Sequence, residues 1–415
     1  MRRRTALATV GSALTWGTGC LRLTRSETDG EAGRDGAGGT PSGGGTSTTT
    51  TASAGDGGET TEPVTTTETT TSTTANAITL VSAWTDDAYG NRVWPTADSF
   101  VYDHQGSLRE ATTDGSVRWT APDAFADVGW PVSVALDGDT AYAVTFGPQT
   151  SNGERSPSRV VAVSRTDGSE RWTVRAEDGL FNPGYLAKVG DLVVAPVNRS
   201  GQADDQSPVL YGLAATSGEM RWRLDSFPPG TDFHRTHGYE GQVLVDSFRS
   251  AFFLDPGTGS ITREFDFPVD RRDGTIDGAT FYGGVDSVGA LDLSSGERTW
   301  ETSLPESIYS PIVADEQTLH FGTETGHVYA VATGDGSERW SARVETGVRY
   351  VAVTDARLWV SDDVGTLYAF DRSNGERVFS QQAPEGGDGE RPVGVVEGTL
   401  FLNGYEAGGY TVESA

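Results

Sequence analysis

The sequence predicts an all-β fold, an eight-bladed β-propeller of four-stranded antiparallel blades, on two observations. A short motif recurs seven times at a nearly constant interval, and the two ends of the repeating region are incomplete in complementary ways. The motif is a strand of alternating character, a polar turn closed by glycine, and an aromatic residue four positions later. Its copies are GSLREATTDGSVRW ending at Trp119, RVVAVSRTDGSERW at Trp172, VLYGLAATSGEMRW at Trp222, SVGALDLSSGERTW at Trp300, GHVYAVATGDGSERW at Trp340 and GTLYAFDRSNGERVF at Phe379. A degenerate copy, AFFLDPGTGSITR, ends at Arg263. The turn glycines, Gly115, Gly168, Gly218, Gly259, Gly296, Gly336 and Gly375, lie 53, 50, 41, 37, 40 and 39 residues apart. A period near 40 with short strands means one supersecondary unit used repeatedly.

Each part of the unit has a physical reason. In HVYAVATGDGSERW, Val328, Ala330 and Ala332 face one way, while Tyr329 and Val331 face the other. Asp335-Gly336 turns the chain, because glycine takes a positive φ without steric cost. Trp340 then stands where a large flat ring can be buried against the neighbouring unit. Upstream, SPIVAD (310–315) and TLHFGTE (318–324) supply two more strands. Four antiparallel strands repeated radially leave only short protected edges, whereas a linear solenoid needs polar capping repeats that this chain does not show. The tail, RPVGVVEGTLFLNGYEAGGYTVES, holds three strands, and the head, ITLVSAW (78–84), is one lone strand. Joining them closes the ring with an eighth blade, and residues 78–415 then divide into about 42 per blade. Seven blades is the alternative.

Ahead of the repeats the chain reads as leader and stalk. MRRRTALATVGSALTWGTGC has three arginines, then an uncharged run, then Cys20, the sole cysteine. This is a signal peptide's basic and apolar regions, too short to span a bilayer as a helix. Arg3-Arg4 suits twin-arginine export, and GTGC is similar to a lipobox, with Cys20 as the lipidated residue of the mature terminus. Gly17 stands where a lipobox usually has leucine, and a plain secretory signal is the alternative. Residues 21–77 are dominated by Gly, Ser and Thr and bury too little apolar surface to fold, so they form an extended stalk. Asn198-Arg199-Ser200 is a glycosylation sequon, placed here in an exported loop.

The chain carries 31 basic and 59 acidic residues, a net charge of −28, and Lys188 as its only lysine. A self-repelling carboxylate surface without lysine suits molar salt, so the expected source is an extreme halophile, an archaeon. The same charge disfavours nucleic acid and anionic lipid headgroups.

The signature Tyr-Ala-Val/Phe-Asp-x-x-Ser/Thr/Asn-Gly-x-x-x-Trp resembles the PQQ-like propeller repeat over residues 78–415. That family includes quinoprotein dehydrogenases and many non-catalytic exported proteins, among them a lipoprotein scaffold of outer-membrane assembly machinery. The resemblance implies a propeller and says little of function. Such dehydrogenases stack their quinone between a tryptophan and a disulfide of adjacent cysteines and hold calcium with Glu, Asn and Asp. Residues 78–415 contain no cysteine, so that platform is missing and no cofactor is expected. Trp119, Trp172, Trp222, Trp300, Trp340 and Phe379 are assigned to blade packing.

Other chemistry finds little support. His234 and His237 lie three apart in an expected loop and read as surface histidines. Asp204-Asp205 and Asp362-Asp363 read as solvated turns in so acidic a chain. Neither a phosphate-binding loop nor a serine nucleophile elbow occurs. The irregular spacings are more informative. Extra residues at 147–158 and 199–208 join second to third strands, and the connections 176–184 and 225–238 between blades are long. All four emerge on one face, carrying Phe181, Phe227, Phe233, His234 and Arg235, which is suitable binding material on a rigid scaffold. The expected function is a membrane-anchored, extracytoplasmic binding or assembly scaffold that engages a membrane or exported protein or a small ligand. The alternatives are an enzyme using the central channel and capture of a sugar or cation by the acidic rim.

Overall fold

A computed structural model describes residues 78–414 apart from 86–88, 97, 105, 122–124, 126–130, 146–157, 177–180, 184, 200–208, 226, 228–232, 248, 270–273, 316, 383–390, 397–398 and 404–407. The expected leader and stalk, with Cys20, lie outside the described residues. So do Asp204-Asp205 and most of the four extended loops.

The described residues contain no α-helix and form eight antiparallel sheets. Sheets 1 to 7 follow one another along the chain, over residues 89–121, 131–175, 181–224, 233–265, 275–303, 313–343 and 348–381. Each is an up-and-down meander, with the first strand of sheet 3 divided into Phe181–Pro183 and Ala187–Val189, both paired with Leu192–Arg199. Sheet 8 takes three strands, Arg391–Val396, Thr399–Asn403 and Gly408–Ser414, from the tail. Its outermost strand is Ile78–Thr85, paired antiparallel with Gly408–Ser414 from Ile78↔Ser414 to Thr85↔Gly408. The expected union of head and tail is therefore present.

Alternating strands put one set of side chains against the preceding sheet and the other against the next. Each junction accordingly has its own core. Tyr142 and Trp172 of sheet 2 meet Val193 and Tyr211 of sheet 3, for example, and Tyr368 and Phe370 of sheet 7 meet Val328 and Trp340 of sheet 6. Phe401 of sheet 8 packs with Val93, Phe100 and Tyr102 of sheet 1, so the series of cores returns to its start.

The repeated tryptophan and glycine belong to this packing. Trp172, Trp222, Trp300 and Trp340 donate their indole N–H to the carbonyls of Ala215, Pro256, Thr333 and Arg372, at 2.9, 2.8, 2.8 and 2.9 Å. Each acceptor lies in the next sheet, three residues before its turn glycine. The ring covers that glycine: a Cβ on Gly218, Gly259, Gly336 or Gly375 would come within 2.5–2.7 Å of Trp172, Trp222, Trp300 or Trp340. Glycine is thus required for its positive φ of 68–75° and also for the absent Cβ. Opposite the ring, on the same sheet, stand the small residues Ala162, Gly212, Ala290 and Ala330.

Two junctions solve the same problem differently. In the degenerate copy, Arg263 replaces the indole. Its Nη1 donates to the carbonyls of Leu293 and Ser294, both at 3.1 Å, and its guanidinium lies 4.8 Å from the Phe265 ring centroid. A flat cation with donors along its edge reproduces the indole's shape and its hydrogen bond. In sheet 1, the residue opposite Trp119 is the buried Glu110, which accepts the Trp119 indole N–H at 2.9 Å. The same carboxylate receives Ser99 Oγ at 2.7 Å and, from sheet 2, Arg165 Nε and Nη2 at 2.8 and 2.7 Å. Burial raises the Glu110 pKa, but these donors outweigh it and hold the carboxyl below its usual range.

Candidate binding face

Up-and-down sheets give the molecule two unlike faces. Turns between first and second strands, and between third and fourth, emerge on one side. Turns between second and third strands, and the links from sheet to sheet, emerge on the other. The first face is tightly made. From Gly168 onward, each third-to-fourth turn is closed by the glycine N–H bonded to the carbonyl four residues earlier, as Gly336 to Ala332 at 3.0 Å. The described strand ends that flank the extended loops lie on the second face.

Within that face, the structure places the expected residues between sheets 3 and 4 more deeply than loops would. Phe181 lies in a short strand, Phe181–Pro183, paired with the end of Leu192–Arg199. Asn198 is consequently a strand residue opposite Asn182, rather than a loop residue as expected for the sequon. Phe233, His234 and Arg235 open the first strand of sheet 4, Phe233–Tyr239. Phe233 is 2% exposed and packs edge-on against the half-buried Phe227, with ring centroids 4.2 Å apart. Arg235 is 8% exposed and lies over the Tyr185 ring at 4.3 Å. Neither Phe233 nor Arg235 is displayed to a partner; both sit inside the junction, because a long connection here folds back as strand.

This junction is also bonded through its innermost strands. Tyr185 and Arg235 form a parallel bridge, and Thr236 donates to the Tyr185 carbonyl through its N–H at 3.2 Å and its hydroxyl at 2.9 Å. His237, expected at the surface, is nearly buried, with Nε2 2.8 Å from Asp246 Oδ2. The other Asp246 oxygen accepts the Arg235 N–H at 2.9 Å.

A second sector of the face, between sheets 6 and 7, was not singled out from the sequence. Glu306, in the link entering sheet 6, has Oε1 2.7 Å from His327 Nδ1, and its Oε2 accepts the hydroxyls of Thr323, at 2.7 Å, and Thr325. Burial raises the Glu306 pKa, but the threonine donors and His327 outweigh it, and the carboxyl lies below its usual range. A carboxylate at Nδ1 fixes that nitrogen as a donor. Nearby, Arg349 pairs with Asp363 and lies 5.8 Å from the Tyr309 ring. Beside Asp363 at the turn tip, Val364 is 58% exposed. Asp362, expected to be solvated, is buried instead. It caps its own turn by accepting the N–H groups of Thr366 at 2.8 Å and Val364 at 3.2 Å, and the Tyr368 hydroxyl at 3.2 Å. The sequence signal here was faint, since these loops have ordinary length and no distinctive motif.

Among the described residues no three His, Cys, Asp or Glu side chains converge as metal ligands. The face thus combines a firm base with polar, aromatic and apolar groups at its rim, an arrangement fitted to contact.

Known proteins give the scaffold a place. The profile described as outer membrane protein assembly factor BamB matches residues 104–264 and 284–412. The assembly factor BamB of Bordetella pertussis is 30% identical over 189 residues, covering 45% of this chain and 46% of that protein. The BamB of Alkalilimnicola ehrlichii is 32% identical over 123 residues, covering 27% of this chain and 32% of that one. The chain therefore spans less than half the length of these curated relatives, which are bacterial. Among solved structures, BamB from Moraxella catarrhalis superposes with a TM-score of 0.60 at 17% identity, over 81% of this chain and 97% of that one. Quinohemoprotein alcohol dehydrogenase from Comamonas testosteroni gives 0.58 at 11% identity, over 81% and 76%, so the likeness of fold extends to an enzyme as well as to an assembly factor. With the profile covering most of the repeats, the chain belongs to the BamB family of β-propellers.

Proposed function

We propose that this chain is an eight-bladed, non-catalytic assembly scaffold, exported and held at the outer face of the cell membrane through Cys20 and the Thr-rich stalk. It engages another membrane or exported protein through its loop-bearing face. The profile match across the repeats carries the reading, since the relatives it describes are assembly factors. The division into a tightly turned face and a face of extended loops supports it, because a rigid base lets loops diverge without loss of stability. The acidic, lysine-poor surface suits a molar-salt environment, so the partner interface works where long-range charge is screened and short-range apolar and hydrogen-bonded contacts dominate. The rim groups Val364, Tyr309 and His327, with the loops 147–157 and 200–207, are its contact material; Phe233 and Arg235 hold the base beneath it.

The test replaces loops 147–157 and 200–207 with short Gly-Ser turns, alone and together with Val364→Asp. Partner capture from solubilised membranes is compared with wild type, alongside thermal stability. Loss of capture with an unchanged melting temperature supports the reading. Full capture by the combined variant contradicts it.

A further inference from the structure

Sheets 2, 5 and 6 share one frame where their first two strands meet. An aspartate ends the first strand, a threonine opens the second, and a ring stands two positions further on. The sets are Asp137, Thr140 and Tyr142; Asp277, Thr280 and Tyr282; and Asp315, Thr318 and His320. In each sheet the ring is registered with the small residue that faces the tryptophan, Ala162, Ala290 or Ala330. The ring centroids lie 5.9, 6.1 and 5.9 Å from those of Trp172, Trp300 and Trp340, tilted by 38°, 38° and 41°. The His320 imidazole therefore occupies the seat that a phenol fills in sheets 2 and 5.

His320 is fully buried, and among the described residues neither of its ring nitrogens has a hydrogen-bond partner. A neutral imidazole carries a donor on one nitrogen and an acceptor on the other, so the core holds two polar atoms there. Native interiors rarely leave such atoms unpaired, because each costs its full desolvation. The junction of sheets 6 and 7 offers little in return: it is lined by Val313, Ala330, Trp340 and Phe370, and the Trp340 indole is already committed to the Arg372 carbonyl. The tyrosine seats show what completes the site. The hydroxyls of Tyr142 and Tyr282 interact with the side chains of Thr140 and Thr280. An imidazole is shorter than a phenol, so with its centre in the same place it stops short of that oxygen, while sheet 6 keeps the threonine, Thr318.

We propose that His320 and Thr318 form a binding site for one internal water molecule, which takes the position held by the phenol oxygen in sheets 2 and 5 and bridges a His320 nitrogen to Thr318 Oγ1. A buried water is retained where it has more than one polar partner and the room of an oxygen atom, and this seat supplies both. Charge selects a neutral occupant. The charged groups that act on His320 are Arg372, from the third-to-fourth turn of sheet 7, and Arg339, on the outer strand of its own sheet. Both are cations, which disfavours a metal ion on the imidazole. Arg372 is matched by Asp315 at 3.0 Å and Arg339 is exposed to solvent, so neither calls for a buried anion.

Oxygen-17 magnetic relaxation dispersion, which counts long-lived internal waters, tests the proposal on the full chain in molar salt. His320→Tyr carries its own oxygen into the seat, so it is expected to hold one internal water fewer than wild type. Denaturation of the same proteins gives a second readout. The unfolding constant of His320→Tyr is expected to be roughly two- to tenfold smaller than that of His320→Phe, the scale of one hydrogen bond, because only tyrosine reaches Thr318. Thr318→Val is expected to destabilise the wild type by a similar factor and to have little further effect in the His320→Phe background, since the water couples the two positions. An equal water count in wild type and His320→Tyr overturns the proposal. So does a His320→Tyr variant less stable than His320→Phe, which would mean that the seat has no room for the oxygen, or strict additivity of Thr318→Val and His320→Phe.

Discussion

Gly336 and Gly278 separate two costs that the repeat combines in a single residue. Both have a positive φ, 68° and 56°, so alanine at either forces a side chain into the left-handed region, at about 1–2 kcal/mol. Gly278 is exposed and an added Cβ meets nothing within 4 Å, so Gly278→Ala carries that strain alone. At Gly336 the new Cβ would lie 2.5 Å from Trp300 Cε3 and 2.6 Å from Thr302 Oγ1. The indole cannot withdraw cheaply, because its N–H is committed to the Thr333 carbonyl in the same turn, and Thr302 donates to the Gly336 carbonyl at 2.9 Å. Overpacking of this kind adds about 1–3 kcal/mol, giving about 2–5 kcal/mol in all. Guanidinium denaturation followed by tryptophan fluorescence measures both variants. The predicted outcome is a clearly larger loss for Gly336→Ala. Equal losses, within about 0.5 kcal/mol, would refute the claim that the turn glycine is a seat for the preceding sheet's tryptophan.

Four further predictions concern individual junctions. Arg263→Ala should cost about 1–2 kcal/mol, allowing for its partial exposure, by removing two carbonyl bonds. Arg263→Trp should be tolerated only together with Phe253→Ala, because four of the five repeat tryptophans face alanine or glycine, and a double-mutant denaturation cycle reads the coupling. Glu110→Gln should cost about 3 kcal/mol at neutral pH by leaving Arg165 without its charge partner. Because the folded Glu110 carboxyl lies below its ordinary 4.5, this stabilisation is present above pH 4.5 and is lost as pH falls through the folded value; the gap between variant and wild type should narrow in acid. His320 is fully buried, and burial, followed by Arg372 and Arg339, lowers its pKa from 6.5 to about 3. Between those values the unfolded chain binds a proton that the folded chain does not, so stability is lost as pH falls, by up to about 1.4 kcal/mol per unit. His320→Phe should flatten denaturation midpoints across pH 3–6.5, and an unchanged slope would contradict this.

The repeat was legible because its two constraints are local. Glycine four residues before an aromatic can be read from one strand pair, and the pattern recurs often enough for Arg263 to stand out as a departure. What Arg263 and Glu110 do in the fold was not legible. Arg165 reaches Glu110 from 55 residues away, and only the contact between sheets shows that the pair replaces an indole-to-carbonyl bond. The junction of sheets 3 and 4 misled sequence reasoning for a related reason. Phe233, Arg235, Thr236 and His237 look like a polar loop, yet all four are strand residues, and Asp246 on the adjacent strand accepts from two of them. Buried polar residues with distant partners carry no periodicity of their own. Asp362 likewise reads as one half of an exposed acidic pair, but only Asp363 is exposed.

The central claim, that the loop-bearing face presents this propeller to a partner, is tested most directly by crosslinking the native protein on intact membranes in molar salt. The attachment sites are then mapped by mass spectrometry. The account predicts protein adducts concentrated at loops 147–157 and 200–207 and around Tyr309 and Val364. Adducts confined to the tight-turn face around Gly168, Gly218 and Gly336, or none at all, would contradict it.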